Sequence, residues 1–131
     1  MNVLDCIIIG GGPSGLSASL TLGRARRNIA IFDDGTNRNR VTQASHGFIT
    51  RDGIKPQSFK EIALKELVNY PSVSYLNATV TEIIKGIGNE RFTVKTSTSQ
   101  EFVSEKNNTR HRCSRNIYYT KYKKVLWEKS I

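Results

Sequence analysis

The sequence predicts an α/β fold: a parallel sheet that opens with a β-α-β unit, followed by an antiparallel meander. Three observations carry this. Two short apolar runs, VLDCIIIG and NIAIFDD, have the β-branched composition of strands buried on both faces. Between them GGPSG opens a helix-like segment, so strand, glycine turn, helix and strand fit within about 30 residues. Further on, VSYLNATVTEII, RFTVKTS and EFVSEK are strand patterns punctuated by turn residues.

Taken in order, VLDCIIIG is a buried parallel strand ended by glycine. PSGLSASLTLGRARR is a helix with apolar surface from Leu16, Leu20 and Leu22; Gly23 either weakens it or permits close packing. NIAIFDD is the second strand. GTNRNRVTQASHGFITRDG is a polar, glycine-bounded loop, and its length favours function over mere connection. Within it, Arg51 and Asp52 are candidates for a surface pair. KPQSFKEIALKELVNY is a helix with Ser58 as N-cap and Glu61 completing a capping box; Ile62, Leu64 and Leu67 face inward and Pro71 stops the chain beyond. VSYLNATVTEII is a strand, Gly86, Gly88 and Asn89 make a turn, and RFTVKTS alternates as an antiparallel strand. A turn near Thr98 to Gln100 leads to EFVSEK, the start of a return strand. After Lys106 the periodicity stops. Asn107 to Arg115 matches neither strand nor amphipathic helix, so an irregular tail is expected.

With 131 residues the chain holds one domain and not two full ones. It carries 20 Lys and Arg against 11 Asp and Glu, a net charge of +9, and residues 100–131 hold more than half of that excess. Such a tail suits either a solvated segment or contact with nucleic acid or an anionic surface. Tyr118, Tyr119, Tyr122 and Trp127 would supply stacking platforms in the nucleic-acid case. The two cysteines, Cys6 and Cys113, form no Cys-x-x-Cys pair, no metal-ligand spacing is present, and a reducing compartment is expected. No apolar stretch approaches the about 20 residues needed to cross a bilayer, so the expectation is a cytoplasmic protein without a membrane partner.

The run IIIGGGPSG places Gly10, Gly12 and Gly15 at the spacing of a dinucleotide fingerprint. Gly10 makes the tight turn out of the strand, Gly12 lets backbone approach a pyrophosphate, and Gly15 lets helix and strands pack closely. The phosphates would meet free N–H groups at the positive end of the helix dipole. The motif follows a strand, opens a helix and precedes a strand ending in acid, which is the context it demands. Asp33, 18 residues after Gly15, is placed to accept from a ribose hydroxyl. The fingerprint alone leaves FAD and NAD(P) both open.

These stretches, with NRVTQASHGFITRDGIKP and YPSVSYLNATVTEI, resemble the FAD domain of thioredoxin reductase-like flavoproteins over about residues 3 to 106. The SHGFITRDG stretch is the most specific part. The resemblance implies an oxidoreductase of the pyridine nucleotide-disulfide class, with a Rossmann-like FAD-binding domain and an inserted NAD(P)H domain. Electrons would pass from NAD(P)H to FAD and on to a disulfide or similar acceptor. Carried over residue by residue, Gly10, Gly12, Pro13, Ser14 and Gly15 match the pyrophosphate loop, and Asp33 matches the acid on the adenosine ribose. Asn39 and Arg40 fall beside the flavin and pyrophosphate, and Ser45, His46 and Gly47 in the loop near the isoalloxazine side. Val80 matches the residue whose backbone meets the adenine. His46 is equally suited to capping a turn, and the Val80 side chain to the core. No residue is assigned as a catalytic base, because hydride transfer through flavin is chiefly the cofactor's chemistry.

The sequence departs from this family after Lys106. Where the family has a strand ending in Ala-Thr-Gly, this chain reads NNTRHRCS, and it has no second glycine fingerprint and no Cys-x-x-Cys. Asn107 to Cys113 can be encoded AAT AAT ACT CGC CAC AGG TGT. Read one base later, those codons give Ile-Ile-Leu-Ala-Thr-Gly. The same offset applied from Lys123 to Lys129 allows Lys-Lys-Phe-Tyr-Gly-Lys. The expectation is therefore a partial FAD-binding domain over residues 1–106 and a basic tail over 107–131 in a non-native reading frame. Such a fragment would hold flavin weakly or substoichiometrically, turn over nothing, and expose a sheet edge open to self-association or homodimerisation. The competing expectation is a non-enzymatic nucleotide-binding module whose basic tail grips nucleic acid or a protein partner.

Overall fold

Strands β1 (Leu4–Ile9) and β2 (Ile29–Asp33) pair in parallel, with Cys6 opposite Ile29 and Ile9 opposite Phe32. The structure, a computed structural model, describes residues 3–36, 42–86 and 91–108, with 106–108 by backbone alone. Between the two strands runs α1 (Pro13–Arg24), and α2 (Pro56–Leu67) follows β2. The remaining strands are β3 (Val73–Asn77), β4 (Val80–Lys85), β5 (Phe92–Thr96) and β6 (Glu101–Asn108). Among the described residues they form one sheet in the order β3-β2-β1-β6-β5-β4.

The alternation of β1 and β2 sends side chains to two different layers. Cys6, Ile8, Ile29 and Ile31 face the helices, where Leu16 of α1 and Leu67 of α2 meet them. Ile7, Ile9, Ala30 and Phe32 face the other way, against Val80 of β4 and Val94 of β5. Phe32 and Phe102 meet edge to face, with ring centroids 5.0 Å apart. Each fully buried side chain of this size contributes about 1.5–3 kcal/mol. Both faces of the parallel strands are covered, which is why they read as unbroken apolar runs.

β6 joins the two halves of the sheet. Its first part pairs antiparallel with β5, from Lys95 opposite Glu101 to Phe92 opposite Ser104. Its second part pairs parallel with β1, from Leu4 opposite Ser104 to Ile8 opposite Asn108. Ser104 takes part in both registers and is fully buried. The strand thus runs two residues past Lys106, where the sequence pattern stops, because β1 continues to offer a ladder whatever the side chains are. Of the segment expected to be irregular, Asn107 and Asn108 thus join the sheet by backbone. Residues from Thr109 onward, and with them the tail, lie outside the described residues.

Three element boundaries differ from the sequence reading. α1 ends at Arg24 rather than continuing through the following arginines, because Arg26 takes φ of 57°. The Arg27 N–H then reaches the Leu22 carbonyl and the Arg26 N–H the Gly23 carbonyl, each at 3.0 Å, closing a Schellman motif. α2 starts earlier than Ser58: Lys55 is its N-cap and Pro56 its first residue, with no side-chain cap. Proline at that place has a fixed φ and no N–H to satisfy, and Glu61 receives Gln57 at 3.2 Å instead of completing a capping box. VSYLNATVTEII is two strands, not one, at opposite edges of the sheet. The Ala78 N–H closes the ladder onto the Asp33 carbonyl, while the Thr79 carbonyl accepts from Ser97 of the meander.

Gly23 permits close packing. A Cβ there would stand 2.8 Å from Val73 Cγ2 and 3.2 Å from Tyr70 Cβ. Gly23→Ala should therefore destabilise the chain by about 1 kcal/mol. Overpacking of about 1–3 kcal/mol outweighs the about 1 kcal/mol gained in helix propensity. Urea unfolding followed by circular dichroism checks the sign, since propensity alone predicts stabilisation.

Candidate functional site

The parallel strands β3, β2, β1 and the second part of β6 all end on one side of the sheet; the chain passes from β1 to β2 and β3 on one hand, and β6, reached through the meander, lies on the other. Crevices at such strand ends are where open α/β sheets hold ligands. At this one the chain leaves β1 through the glycine loop. Gly10 has φ of 110° and donates its N–H to the Phe32 carbonyl at 2.8 Å. A Cβ at Gly15 would overlap the Gly10 carbonyl oxygen, so the helix can sit this close only with glycine.

Gly12 is the N-cap of α1, extended and without a side chain, and Pro13 follows at the first helical position. No side chain caps this end and no acid stands in the first turn. In a helix the first N–H groups have no partner of their own, and the first helical bond here is from the Leu16 N–H to the Gly12 carbonyl. Ser14 is exposed and Gly12 buried. The donors and the dipole end suit an anion without a competing side chain, and the residues present fit a pyrophosphate.

Asp33 ends β2 on the helix-facing side, in phase with Ile29 and Ile31. Its side chain is buried. Oδ1 accepts the Gly35 N–H at 3.0 Å, and Oδ2 accepts the Tyr75 hydroxyl of β3 at 2.7 Å. Oδ2 also accepts the Lys60 ammonium of α2. Burial pushes this carboxyl up. The Lys60 hydrogen bond, the Tyr75 hydroxyl, the Gly35 N–H and the Lys60 charge together outweigh that and hold it below the usual aspartate value. Burial lowers Lys60, but Asp33 more than compensates and holds its ammonium above the usual value. Burial and then Asp33 raise the Tyr75 hydroxyl. Gly11 completes the arrangement, since a Cβ there would overlap the Asp33 carboxylate. Sequence reading assigned Asp33 and missed Gly11, Lys60 and Tyr75. The middle glycine of the GGG run was the visible signal for Gly11. Lys60 and Tyr75 lie 27 and 42 residues from Asp33, and nothing local marks them.

The loop after residue 41 is a small hairpin. The Ser45 N–H reaches the Ile54 carbonyl at 2.8 Å, and the Gly53 N–H reaches the Ser45 carbonyl at 2.7 Å. His46 Nδ1 stands 3.4 Å from Asp52 Oδ1, and the Gly47 N–H donates to the same oxygen at 2.8 Å. Asp52 thus pairs with His46, not with Arg51, whose guanidinium reaches the Thr50 carbonyl. The Gly47 N–H is the main cause that holds the Asp52 carboxyl below its usual value. Ser45, Gly11, Pro13, Phe59 and Lys60 line one small cavity of about 30 Å³, so hairpin, glycine loop and α2 converge. Val80 is buried by its side chain among Ile7, Ile9 and Phe32, two residues beyond the Ala78 N–H that meets Asp33. Asn39 and Arg40 lie outside the described residues. The structure thus brings Gly10, Gly12, Pro13, Ser14, Gly15, Asp33 and Ser45 to one side of the sheet, with His46 and Gly47 at the exposed rim.

Known proteins share this fold. The pyridine nucleotide-disulphide oxidoreductase family matches residues 4–125. A probable thioredoxin reductase of Arthroderma benhamiae is 46% identical over 81 residues, 62% of this chain and 20% of its own length. Among solved structures, the Bacillus anthracis protein described as thioredoxin reductase TrxB superposes with a TM-score of 0.77 at 55% identity, covering 81% of this chain and 35% of that one. An oxidoreductase from Agrobacterium tumefaciens superposes at 0.76 with 36% identity, covering 82% and 36%. The chain thus spans about a fifth to a third of the length of these relatives. With the family match over most of its length and the glycine loop and six-stranded fold in place, the chain belongs to the pyridine nucleotide-disulphide oxidoreductases, in their thioredoxin reductase-like branch.

Proposed function

We propose that this chain holds the adenosine and pyrophosphate end of FAD in a thioredoxin reductase-like flavoprotein. The observation that carries the reading is the uncapped N-terminus of α1 beside the buried Asp33 carboxylate at the ends of β1 and β2. The N–H groups of Ser14 and Gly15 would take the pyrophosphate, with Gly10, Gly12 and Pro13 shaping the approach. Asp33 would take the ribose, and the Val80 backbone would lie along the adenine. Asn39, Arg40, Ser45, His46 and Gly47 belong to the flavin side in this reading. The chemistry FAD supplies when bound is two-electron transfer from reduced nicotinamide toward a disulfide or similar acceptor. The protein's part is binding, orientation and exclusion of water; none of these residues is given a catalytic proton transfer. The cysteine usage suits a cytoplasmic setting.

The same reading treats residues 1–106 as part of an FAD-binding domain and 107–131 as translated out of frame. Asn107 and Asn108 pair by backbone with Ile7 and Ile8, a place where doubly covered parallel strands carry apolar residues. The shifted frame puts isoleucine at both positions. Genomic sequence across codons 105–107 tests this: codons that cannot yield Ile-Ile-Leu-Ala-Thr-Gly one base later rule the shift out.

Two further outcomes are expected. The purified 131-residue chain should bind ADP and emerge from gel filtration with less than one flavin per chain. Gly12→Val should abolish ADP binding by placing a side chain where the pyrophosphate lies, with circular dichroism confirming the fold. Wild-type chain that binds no ADP by calorimetry sinks the reading. Mixed with NADPH, added FAD and a disulfide, the chain alone should show no oxidation above the protein-free rate, and steady turnover would mean that residues beyond the described ones complete an active site.

A further inference from the structure

The Asp33 carboxylate has about four acceptor positions, two on each oxygen. Among the described residues, Oδ2 already takes two donors, the Lys60 ammonium and the Tyr75 hydroxyl. Oδ1 takes one, the Gly35 N–H. A single position, on Oδ1, remains for a ligand. The carboxylate is not free to turn and offer Oδ2 instead. Gly11 backs it so closely that a Cβ there would overlap it, Lys60 holds it from α2, and Tyr75 from β3. The adjacent acid in the chain, Asp34, is engaged with the Thr36 N–H and hydroxyl.

We propose that Asp33 reads one ribose hydroxyl and not two, and that Lys60 and Tyr75 are the positioning residues that impose this by filling Oδ2. The inference rests on the adenosine site proposed above. A bare carboxylate at a strand end can take both hydroxyls of a ribose, one on each oxygen. Here the second hydroxyl has no acceptor on Asp33 and turns to water or to another group. Lys60 has a second consequence. It keeps Asp33 ionised in a buried place, so acceptance from the hydroxyl persists to lower pH than a buried aspartate alone would allow.

The test uses the full chain and calorimetry with ADP, 2′-deoxy-ADP and 3′-deoxy-ADP. In the wild type, one deoxy analogue should bind about tenfold weaker than ADP, and the other within about twofold, since a hydrogen bond to a charged group is lost in only one of them. In Lys60→Met, Oδ2 gains an open position and both analogues should weaken. The acid limb of ADP binding should also move to higher pH, because Asp33 loses the cation that favours its charged form. Lys60→Arg should restore both the single-hydroxyl pattern and the acid limb. Tyr75→Phe removes a neutral donor and opens Oδ2 without leaving a carboxylate unpaired, so it carries the test if Lys60→Met does not fold. Equal weakening of both analogues in the wild type overturns the proposal, as does an unchanged pattern in Tyr75→Phe. Wild-type chain that binds no ADP overturns the adenosine site itself, a different result from ADP binding without the asymmetry.

Discussion

A carboxylate buried at the end of a strand must be satisfied, and in this fold Asp33 is the group around which the neighbouring elements are set. An unpaired charge in such a place costs several kcal/mol, and removing one partner of a buried pair costs about 3–5 kcal/mol. The partners come from three directions: Lys60 from α2, Tyr75 from β3 and the Gly35 N–H from the turn after β2. On the remaining side lies Gly11, where a side chain has no room. The placement of α2 over the sheet, the parallel addition of β3 to β2 and the middle glycine of the GGG run all answer to one carboxylate. The alternation of β2 puts Asp33 in phase with Ile29 and Ile31, so the residues that bury the helix face also aim the acid.

The second organising feature is the division of the sheet at β6. One strand of eight residues serves both as the parallel neighbour of β1 and as the antiparallel partner of β5, with Ser104 at the change. The meander is thereby folded onto the face of Ile7, Ile9, Ala30 and Phe32. This leaves the strand ends of β1 and β2 free at the crevice while both faces behind them stay covered. A site built of backbone N–H groups and one acid needs such a rigid support, since its donors cannot adjust independently of the fold.

Much of this was legible in the sequence. The apolar runs of β1 and β2, the glycine spacing and the acid at the end of β2 are local signals, each with a physical cause that acts within a few residues. The meander strands were visible as well. What was not legible is long-range. Nothing in VSYLNATVTEII marks a break, because Asn77, Ala78 and Thr79 include no glycine or proline; the strand divides because Asp33 and Ser97 take its backbone groups toward opposite edges of the one sheet. Ser58 has the right chemistry for a cap and the wrong place, since Pro56 had already fixed the start of α2. Lys60 reads as a solvated lysine on an amphipathic helix until the fold brings it over Asp33. The candidate site followed the same rule: its backbone half was visible as glycines, and its side-chain half appeared only when α2 and β3 came together.

The charges at the crevice then make sense as a set. A diphosphate received at the glycine loop would stand near an aspartate that lies against Gly11, and two like charges in a poorly solvated place oppose one another. The Lys60 ammonium offsets the charge of Asp33 before any anion arrives, so the positive end of α1 is not cancelled by the acid beside it. A ribose brings neutral donors, and one of them can join Oδ1 without disturbing that balance. On the proposed reading the pair would serve two ends that a lone acid could not serve together: it would keep an acceptor ionised where water is scarce, and it would let that acceptor sit next to a site for negative charge.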